Sequence, residues 1–401
     1  MKRMIAILMT LCLTLSLFAA CAQAENVAIP ELATKRREIP ENEAMQFLKE
    51  MGVGWNLGNT FDAIKGDWNR NADEMTVETS WVGVKTTKNM IKAIHDAGFT
   101  TIRVPVSWHD HVSGPDHEIS EKWLNRVQEV VDWAYELGMR VILNIHHDED
   151  QFLPSSAHFE ESAHYVECIW KQLAERFKDY DDRLIMESLN EPRLVGSSHE
   201  WWFDANAAEC QDAADCLNKL NQLFVDTVRA SGGGNATRYL MVPAYCAAPE
   251  NAVRDSFVLP TDSADNRIIV SVHAYTPYEF ALQQPGTSEF NLSYTTSTQS
   301  IVLFMNSLYN KYISNGIPVV IGEFGAMIKN DNHQARVDWT SFYVATASAR
   351  NLPVVWWDNN VFSGDGERFG LLDRKTITFP HQEIVDAMMR YGGWEKLPEA
   401  Q

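Results

Sequence analysis

Leu184-Ile185-Met186-Glu187-Ser188-Leu189-Asn190-Glu191-Pro192 and Pro318-Val319-Val320-Ile321-Gly322-Glu323-Phe324-Gly325 are two short apolar runs, each ending in a glutamate. Both read as buried parallel strands: a handful of branched apolar residues with a turn signal after them. A carboxylate at the C-terminal end of such a strand has left the core and points into a crevice lined by loops. In a (β/α)8 barrel that end carries the catalytic groups. Two carboxylates facing one another there, Glu191 and Glu323, have the makings of a pair that protonates a leaving group and attacks a sugar carbon.

Working outward, the segments 52–56, 101–106, 140–145, 184–189, 239–243, 268–273, 318–322 and 353–357 read as eight strands at fairly regular spacing. Helical patterns separate them at 87–97, 120–137, 161–177, 215–230, 298–314 and 334–349. In the second of these Ser120 stands as N-cap and Gly138 as stop. Strand and helix in alternation imply a parallel sheet closed into a (β/α)8 TIM barrel of the α/β class, with its active site at the C-terminal strand ends. An open doubly wound sheet is the alternative. Residues 25–42 form a polar lead-in, and 43–50 reads as a short helix that plugs the barrel bottom. No linker rich in Pro, Ser or Thr interrupts 43–395, so this stretch reads as a single catalytic domain.

The 401 residues are 45% apolar and carry a formal net charge of −20, from 34 basic and 54 acidic residues. That balance argues against nucleic acid or an anionic membrane as partner, since both require basic patches. It suits a soluble extracellular protein acting on a neutral substrate, with a monomer as the default state. Residues 1–24 read as a secretory signal peptide: Lys2 and Arg3, an apolar run from Ile5 to Phe18, then Ala22-Gln23-Ala24. Phe18-Ala19-Ala20-Cys21 also resembles a bacterial lipoprotein box, in which an acylated Cys21 would anchor the chain to a membrane. Of six cysteines, Cys12 and Cys21 lie in or beside the leader. Export permits a disulfide between Cys210 and Cys216, and Cys168 and Cys246 read as buried thiols. No CxxC or Cys/His spacing suggests zinc, and no glycine-rich loop suggests a phosphate or dinucleotide cofactor.

The strand ends hold more polar and aromatic side chains than packing requires. Arg103 interrupts an apolar run, which is costly unless it meets a carboxylate. If that partner is Glu323, the guanidinium keeps the glutamate ionised and nucleophilic. Asn56 closes the first strand. Strand three ends in His146, His147 and Asp148, strand six in His273, Ala274 and Tyr275. Imidazoles there suit sugar hydroxyls or a carboxylate, and Tyr275 suits the second oxygen of the nucleophile. A metal site built on the His/His/Asp cluster is the rival reading. Trp357 ends strand eight, and Trp68, Trp81, Trp108, Trp201 and Trp202 fall in loops after strands one, two and four. Indole faces stack on the C–H face of a pyranose.

These segments resemble family 5 of the glycoside hydrolases, in clan A, over about residues 50–390. Leu189-Asn190-Glu191-Pro192 matches the acid/base motif of that family, and Ile321-Gly322-Glu323-Phe324-Gly325 its nucleophile motif. Arg103, His146, His273, Tyr275 and Trp357 match the residues around the cleaved sugar. The set Trp55–Asn59, Asn144–His147 and Trp356–Asn359 is most similar to bacterial endoglucanases, a group that includes xyloglucanases. The resemblance implies double displacement on a β-1,4-glucan with retention: Glu323 attacks, Glu191 protonates the leaving oxygen and then activates water, and Asn190 binds the 2-hydroxyl. It implies carboxyls about 5 to 5.5 Å apart and a raised pKa on Glu191 with a low one on Glu323; since the paired glutamates account for the chemistry by themselves, no cofactor and no metal are expected. A mannanase, an exo-acting glucosidase or a silent sugar-binding protein are the rival functions.

Overall fold

The computed structural model describes residues 27–66 and 70–399. The leader with Cys12 and Cys21, and also Trp68, lie outside the described residues. Eight parallel strands close into a barrel: β1 (Val53–Leu57), β2 (Thr101–Val104), β3 (Arg140–Asn144), β4 (Leu184–Glu187), β5 (Leu240–Pro243), β6 (Ile268–His273), β7 (Val319–Phe324) and β8 (Val354–Asp358). Each strand pairs with its sequence neighbours, and β8 pairs with β1 from Val53↔Val354 to Leu57↔Asp358. The strands are buried along nearly their whole length, which is why they read as continuous apolar runs and not as alternating ones.

Among the described residues, seven helices of nine residues or more flank the barrel wall: α2 (Lys88–Asp96), α3 (Glu121–Glu136), α4 (Phe159–Arg176), α5 (Ala208–Ala230), α6 (Thr295–Lys311), α7 (His333–Ser348) and α8 (Gln382–Tyr391). After β5 only the single turn Pro249–Ala252 takes the helix position. Ser120 sits at the N-cap of α3 but makes no capping bond, because its hydroxyl donates to Glu74 Oε1 instead, at 2.9 Å. Among the described residues no helix is long and apolar enough to cross a membrane.

The helix at 43–50 is α1 (Glu43–Met51), and it does close the barrel bottom. Asn42 caps it, accepting from Met45 N at 2.8 Å. Its buried face is Ala44, Met45, Phe47, Leu48 and Met51. Phe47 stacks on Tyr239 just before β5, with ring centroids 3.9 Å apart. The hydroxyls of Thr100 and Thr101 donate to Met51 O at 2.6 and 2.7 Å, and Asn351 Nδ2 donates to Met45 O at 3.0 Å. The lead-in ahead of α1 is a strap. It is held by a mutual pair of bonds between Ala28 and the Gln334 amide, by Tyr391 to Pro30 O, by Arg36 N to Pro398 O, and by Arg37 N to Ala349 O.

Cys210 and Cys216 are both free thiols, so the disulfide expected between them does not form. Both lie on α5, where six residues of helix separate them by roughly 9 Å along the axis, too far for the about 4.4 to 6.8 Å between the Cα atoms of a bridged pair. Cys210 and Cys246 are buried, the former beside Phe203 and Tyr245. Cys168 departs from expectation the other way, being only half-buried on the outer face of α4.

A second buried arginine holds the lower side of the barrel together. Arg238, just before β5, is fully buried. Its five N–H groups reach Asn235 Oδ1 and the carbonyls of Asp181, Leu184, Phe177 and Tyr180, all between 2.7 and 2.9 Å. Every donor is satisfied, but chiefly by neutral acceptors, so burial draws the guanidinium down to about 10. Arg238→Ala would strand four carbonyls at once. Urea titration should show a loss of about 3 kcal/mol or more, with turnover per folded molecule retained.

Candidate active site

A polar layer crosses the barrel just below its C-terminal rim. Arg103 on β2 is fully buried. Its Nε donates to Glu187 Oε2 at 2.7 Å, its Nη1 to Glu323 Oε1 at 2.7 Å, and its Nη2 to Asn190 Oδ1 at 2.7 Å. Three strands are thereby keyed to one guanidinium. Burial works against the charged guanidinium, but Glu187 and Glu323 outweigh it and hold the proton more firmly than on an ordinary arginine. The anticipated contact with Glu323 is therefore present. The equally short contact with Glu187 was not anticipated, although its signal was there: a charge inside Leu184–Leu189 needs the same explanation as Arg103. Glu187 also accepts from Ser271 Oγ at 2.6 Å and from Asn144 Nδ2 at 3.1 Å.

Asn56 belongs to this layer and not to the cleft surface. It is fully buried, accepts from Arg103 Nη1 at 3.1 Å and donates to Gly322 O at 2.9 Å. It braces β7 one residue ahead of Glu323. Next to it Gly58 runs close under Trp357, where a Cβ would lie 2.9 Å from both the Asp358 carbonyl and the indole.

Above the layer the two glutamates meet. His273 pairs in register with Glu323 across β6 and β7. Its Nδ1 lies 2.8 Å from Glu191 Oε1 and 3.7 Å from Glu323 Oε1. Ligand atoms of Glu191, His273 and Glu323 all fall within 4.8 Å of one another. Tyr275 donates its hydroxyl to Glu323 Oε2 at 2.9 Å, so both oxygens of Glu323 are held by donors. Burial raises the Glu191 carboxyl, but the hydrogen bond and charge of His273, with Arg193 and His147 behind, outweigh it and set the net direction downward. This is opposite to the raised value expected for an acid. His273 moves the other way: burial lowers it, and Glu323 and Glu191 raise it further than burial and Arg103 lower it. The pair favours the proton on the imidazole.

His146 is buried, its Nδ1 is 3.1 Å from Asn144 Nδ2, and its ring lies parallel to Trp357 with centroids 5.7 Å apart. Burial, with His147 and Arg103 nearby, holds it neutral far below the usual imidazole range. His147 is half-buried at the cleft edge, within 3.8 Å of Glu149 and 6.1 Å from the Trp81 ring. Asp62, whose carboxyl burial raises, approaches both histidines. Asp148, by contrast, is turned inward. It accepts from Trp108 N and His109 N and meets His109 Nδ1 at 2.7 Å.

The tryptophans divide. Trp108 is fully buried, with Nε1 donating to Asn144 O at 2.9 Å, so it plugs the core and is not a rim platform. Trp357 is 6% exposed and packs with Met327 and Phe369. Trp81, Trp201 and Trp202 do stand on the surface, at 38%, 60% and 75% exposure. Trp201 is backed by the Arg193 guanidinium 4.1 Å from its ring, itself pinned by Glu149 and Glu200.

A parallel barrel carrying a close carboxylate pair at its C-terminal rim, one member clamped by arginine and tyrosine, has the layout of a glycoside hydrolase. The model of the family described as Cellulase (glycosyl hydrolase family 5) matches residues 67–363. The chain belongs to glycosyl hydrolase family 5. Among solved structures, it superposes with a TM-score of 0.89 on a family 5 lichenase mutant from Caldicellulosiruptor sp. F32 in complex with cellotetraose. The two are 53% identical, and the match covers 91% of this chain and 100% of that one. Endoglucanase A of Ruminococcus albus is 39% identical over 88% of this chain and 93% of its own length. The cellulase/esterase CelE of Acetivibrio thermocellus is 40% identical over 90% of this chain, which spans only 42% of that longer protein.

Glu187→Gln tests the layer. It keeps the volume but removes one of the two carboxylates on Arg103, and breaking such a buried pair costs about 3 to 5 kcal/mol. The denaturation midpoint should drop accordingly, and turnover should fall with it, because Asn190 and Glu323 share the same guanidinium. Wild-type values for both would show that Arg103 needs only Glu323.

Proposed function

We propose that the chain is a secreted, retaining endo-β-1,4-glucanase that works by double displacement, Glu323 as nucleophile and Glu191 as acid and then base. The observation that carries the reading is the separation of the pair. Carboxylate oxygens of Glu191 and Glu323 lie within 4.8 Å, close to the about 5 to 5.5 Å of retaining enzymes and well short of the roughly 6.5 to 9.5 Å that admits a water for inversion. Arg103 and Tyr275 stabilise Glu323 as the carboxylate that attacks the anomeric carbon. Asn190, its Oδ1 engaged by Arg103, turns its amide nitrogen to the sugar 2-hydroxyl. Export through the 1–24 leader suits a polymer substrate outside the cell, with release as a free monomer or retention through an acylated Cys21 as the two fates.

The acid step needs a proton on Glu191, and the free site favours it on His273. His273 Nδ1, 2.8 Å away, acts as the store from which Glu191 takes it up as the leaving oxygen comes into contact. Because the imidazole value is raised, the proton is kept to a pH above the usual imidazole value of about 6.5 and lost as pH rises through the folded value. In His273→Asn the carboxyl stands alone, so the alkaline limb of kcat/KM should move to lower pH. An unmoved limb would assign the proton to another group.

For substrate, the rim tryptophans and the family relatives favour long β-glucan chains. The most telling experiment compares wild type with Glu323→Ala on carboxymethyl-cellulose, barley β-glucan, xyloglucan and glucomannan. A rapid viscosity drop with few reducing ends, absent from the variant, fits the endo reading, and the best polymer names the specificity. Glu191→Gln should lose several orders of magnitude in turnover while keeping its fold. Trimming of short oligosaccharides with the polymers left intact would favour an exo-acting glucosidase.

A further inference from the structure

On the flank of the barrel, away from the two glutamates, three side chains of different chemistry converge. After β2 a small hairpin pairs Val112–Ser113 with Glu118–Ile119, and its turn carries Pro115, Asp116 and His117 against α4. On α4, His164 and Cys168 are one turn apart and share a face. Cys168 Sγ is 3.7 Å from His164 Nδ1 and 3.8 Å from Nε2, so it faces the imidazole between its two nitrogens. Together with an Asp116 carboxylate oxygen, their ligand atoms lie within 4.8 Å of one another. Around a tetrahedral zinc ion, bonds of about 2.0 to 2.3 Å set ligand atoms roughly 3.2 to 3.8 Å apart. Closing this triad takes a turn of the imidazole about its Nε2 contact that brings Nδ1 to face the thiol and the carboxylate.

The surroundings prepare it. His164 Nε2 lies 2.8 Å from Pro115 O, so the ring proton sits on Nε2 and Nδ1 presents a bare lone pair. An imidazole fixed through its far nitrogen by a carbonyl is the usual arrangement of a metal-binding histidine. One turn further along α4, Gln172 clamps the hairpin, donating to His117 O at 2.9 Å and accepting from Ile119 N at 2.8 Å. The frame between turn and helix is thus set before any ion arrives. Nothing in the sequence marks the site, because its third ligand comes from a turn far upstream of the His164/Cys168 pair.

We propose that Asp116, His164 and Cys168 form a site for a divalent transition ion of the zinc class, which ties the hairpin to α4. One nitrogen, one sulfur and one oxygen make a borderline-soft donor set, which selects zinc or cobalt over calcium or magnesium. Coordination converts the Cys168 thiol to a thiolate and releases its proton. Because the bound form is the thiolate, uptake strengthens with rising pH. The ion sits apart from Glu191 and Glu323 and acts on stability, not on turnover.

The test uses the full chain, freed of metal with a chelator and titrated with Co2+ as a spectroscopic stand-in for zinc. One equivalent should produce visible d–d bands and a near-ultraviolet thiolate-to-cobalt band. Cys168→Ser should abolish the thiolate band, and His164→Ala should weaken uptake by about tenfold or more. Zn2+ should raise the Tm of the wild type but not of Cys168→Ser, with wild-type turnover on polymer in both variants confirming that they fold. Cobalt held in the cleft by Asp62, His146 and His147 would show no sulfur band. Its absence in the wild type, or its persistence in Cys168→Ser, overturns the proposal.

Discussion

The Arg103 guanidinium is the contact on which the rest of the site depends. A lone charge inside a barrel is expensive to desolvate, and here the expense is offset by two carboxylates and two amide oxygens within hydrogen-bond reach. Those acceptors arrive from β1, β4, β7 and the loop after β4. Removing any one leaves the others to re-pair in a medium where unpaired polar groups have no water. Glu323 owes its position to this more than to its own strand, whose pairing with β6 and β8 is irregular at the same level. Arg103 and Tyr275 fix its carboxylate, one on each oxygen.

Tyr275 and His273 extend that constraint upward. Each touches a glutamate through a single short hydrogen bond. The site consequently holds both oxygens of one carboxylate with donors and pairs the other with an imidazole that competes for its proton. This differs from a design in which burial alone makes an acid. Burial is the largest single influence and pushes Glu191 upward, but His273, Arg193 and His147 together outweigh it.

Much of this was legible in the sequence. The eight apolar runs became the eight strands with shifts of a few residues, since buried parallel strands announce themselves by composition. Arg103 announced a carboxylate partner for a similar reason: an isolated charge in an apolar run has few tolerable fates. Glu187 went unread because its run already held a more conspicuous glutamate at its end, and only its facing strand shows that it points inward. Trp108 and Trp81 have the same kind of loop context in sequence, yet one is core and the other rim. That choice is made by Asn144, whose carbonyl captures the Trp108 nitrogen. The Cys210 and Cys216 spacing suggested a bridge only as long as the segment was read as a loop. Once α5 begins at Ala208, helical rise separates them.

The strap ahead of α1 gives the molecule a definite posture. At Ala28 it is bonded to Gln334, in the first turn of α7, and helices in this fold begin at the end where the cleft opens. The chain therefore enters beside the cleft and reaches the closed end only at residues 36–42. The strap runs the length of α7, from Gln334 in its first turn to Ala349 at its C-cap, so the helix that follows the strand of Glu323 is gripped at both ends by a segment that precedes the barrel.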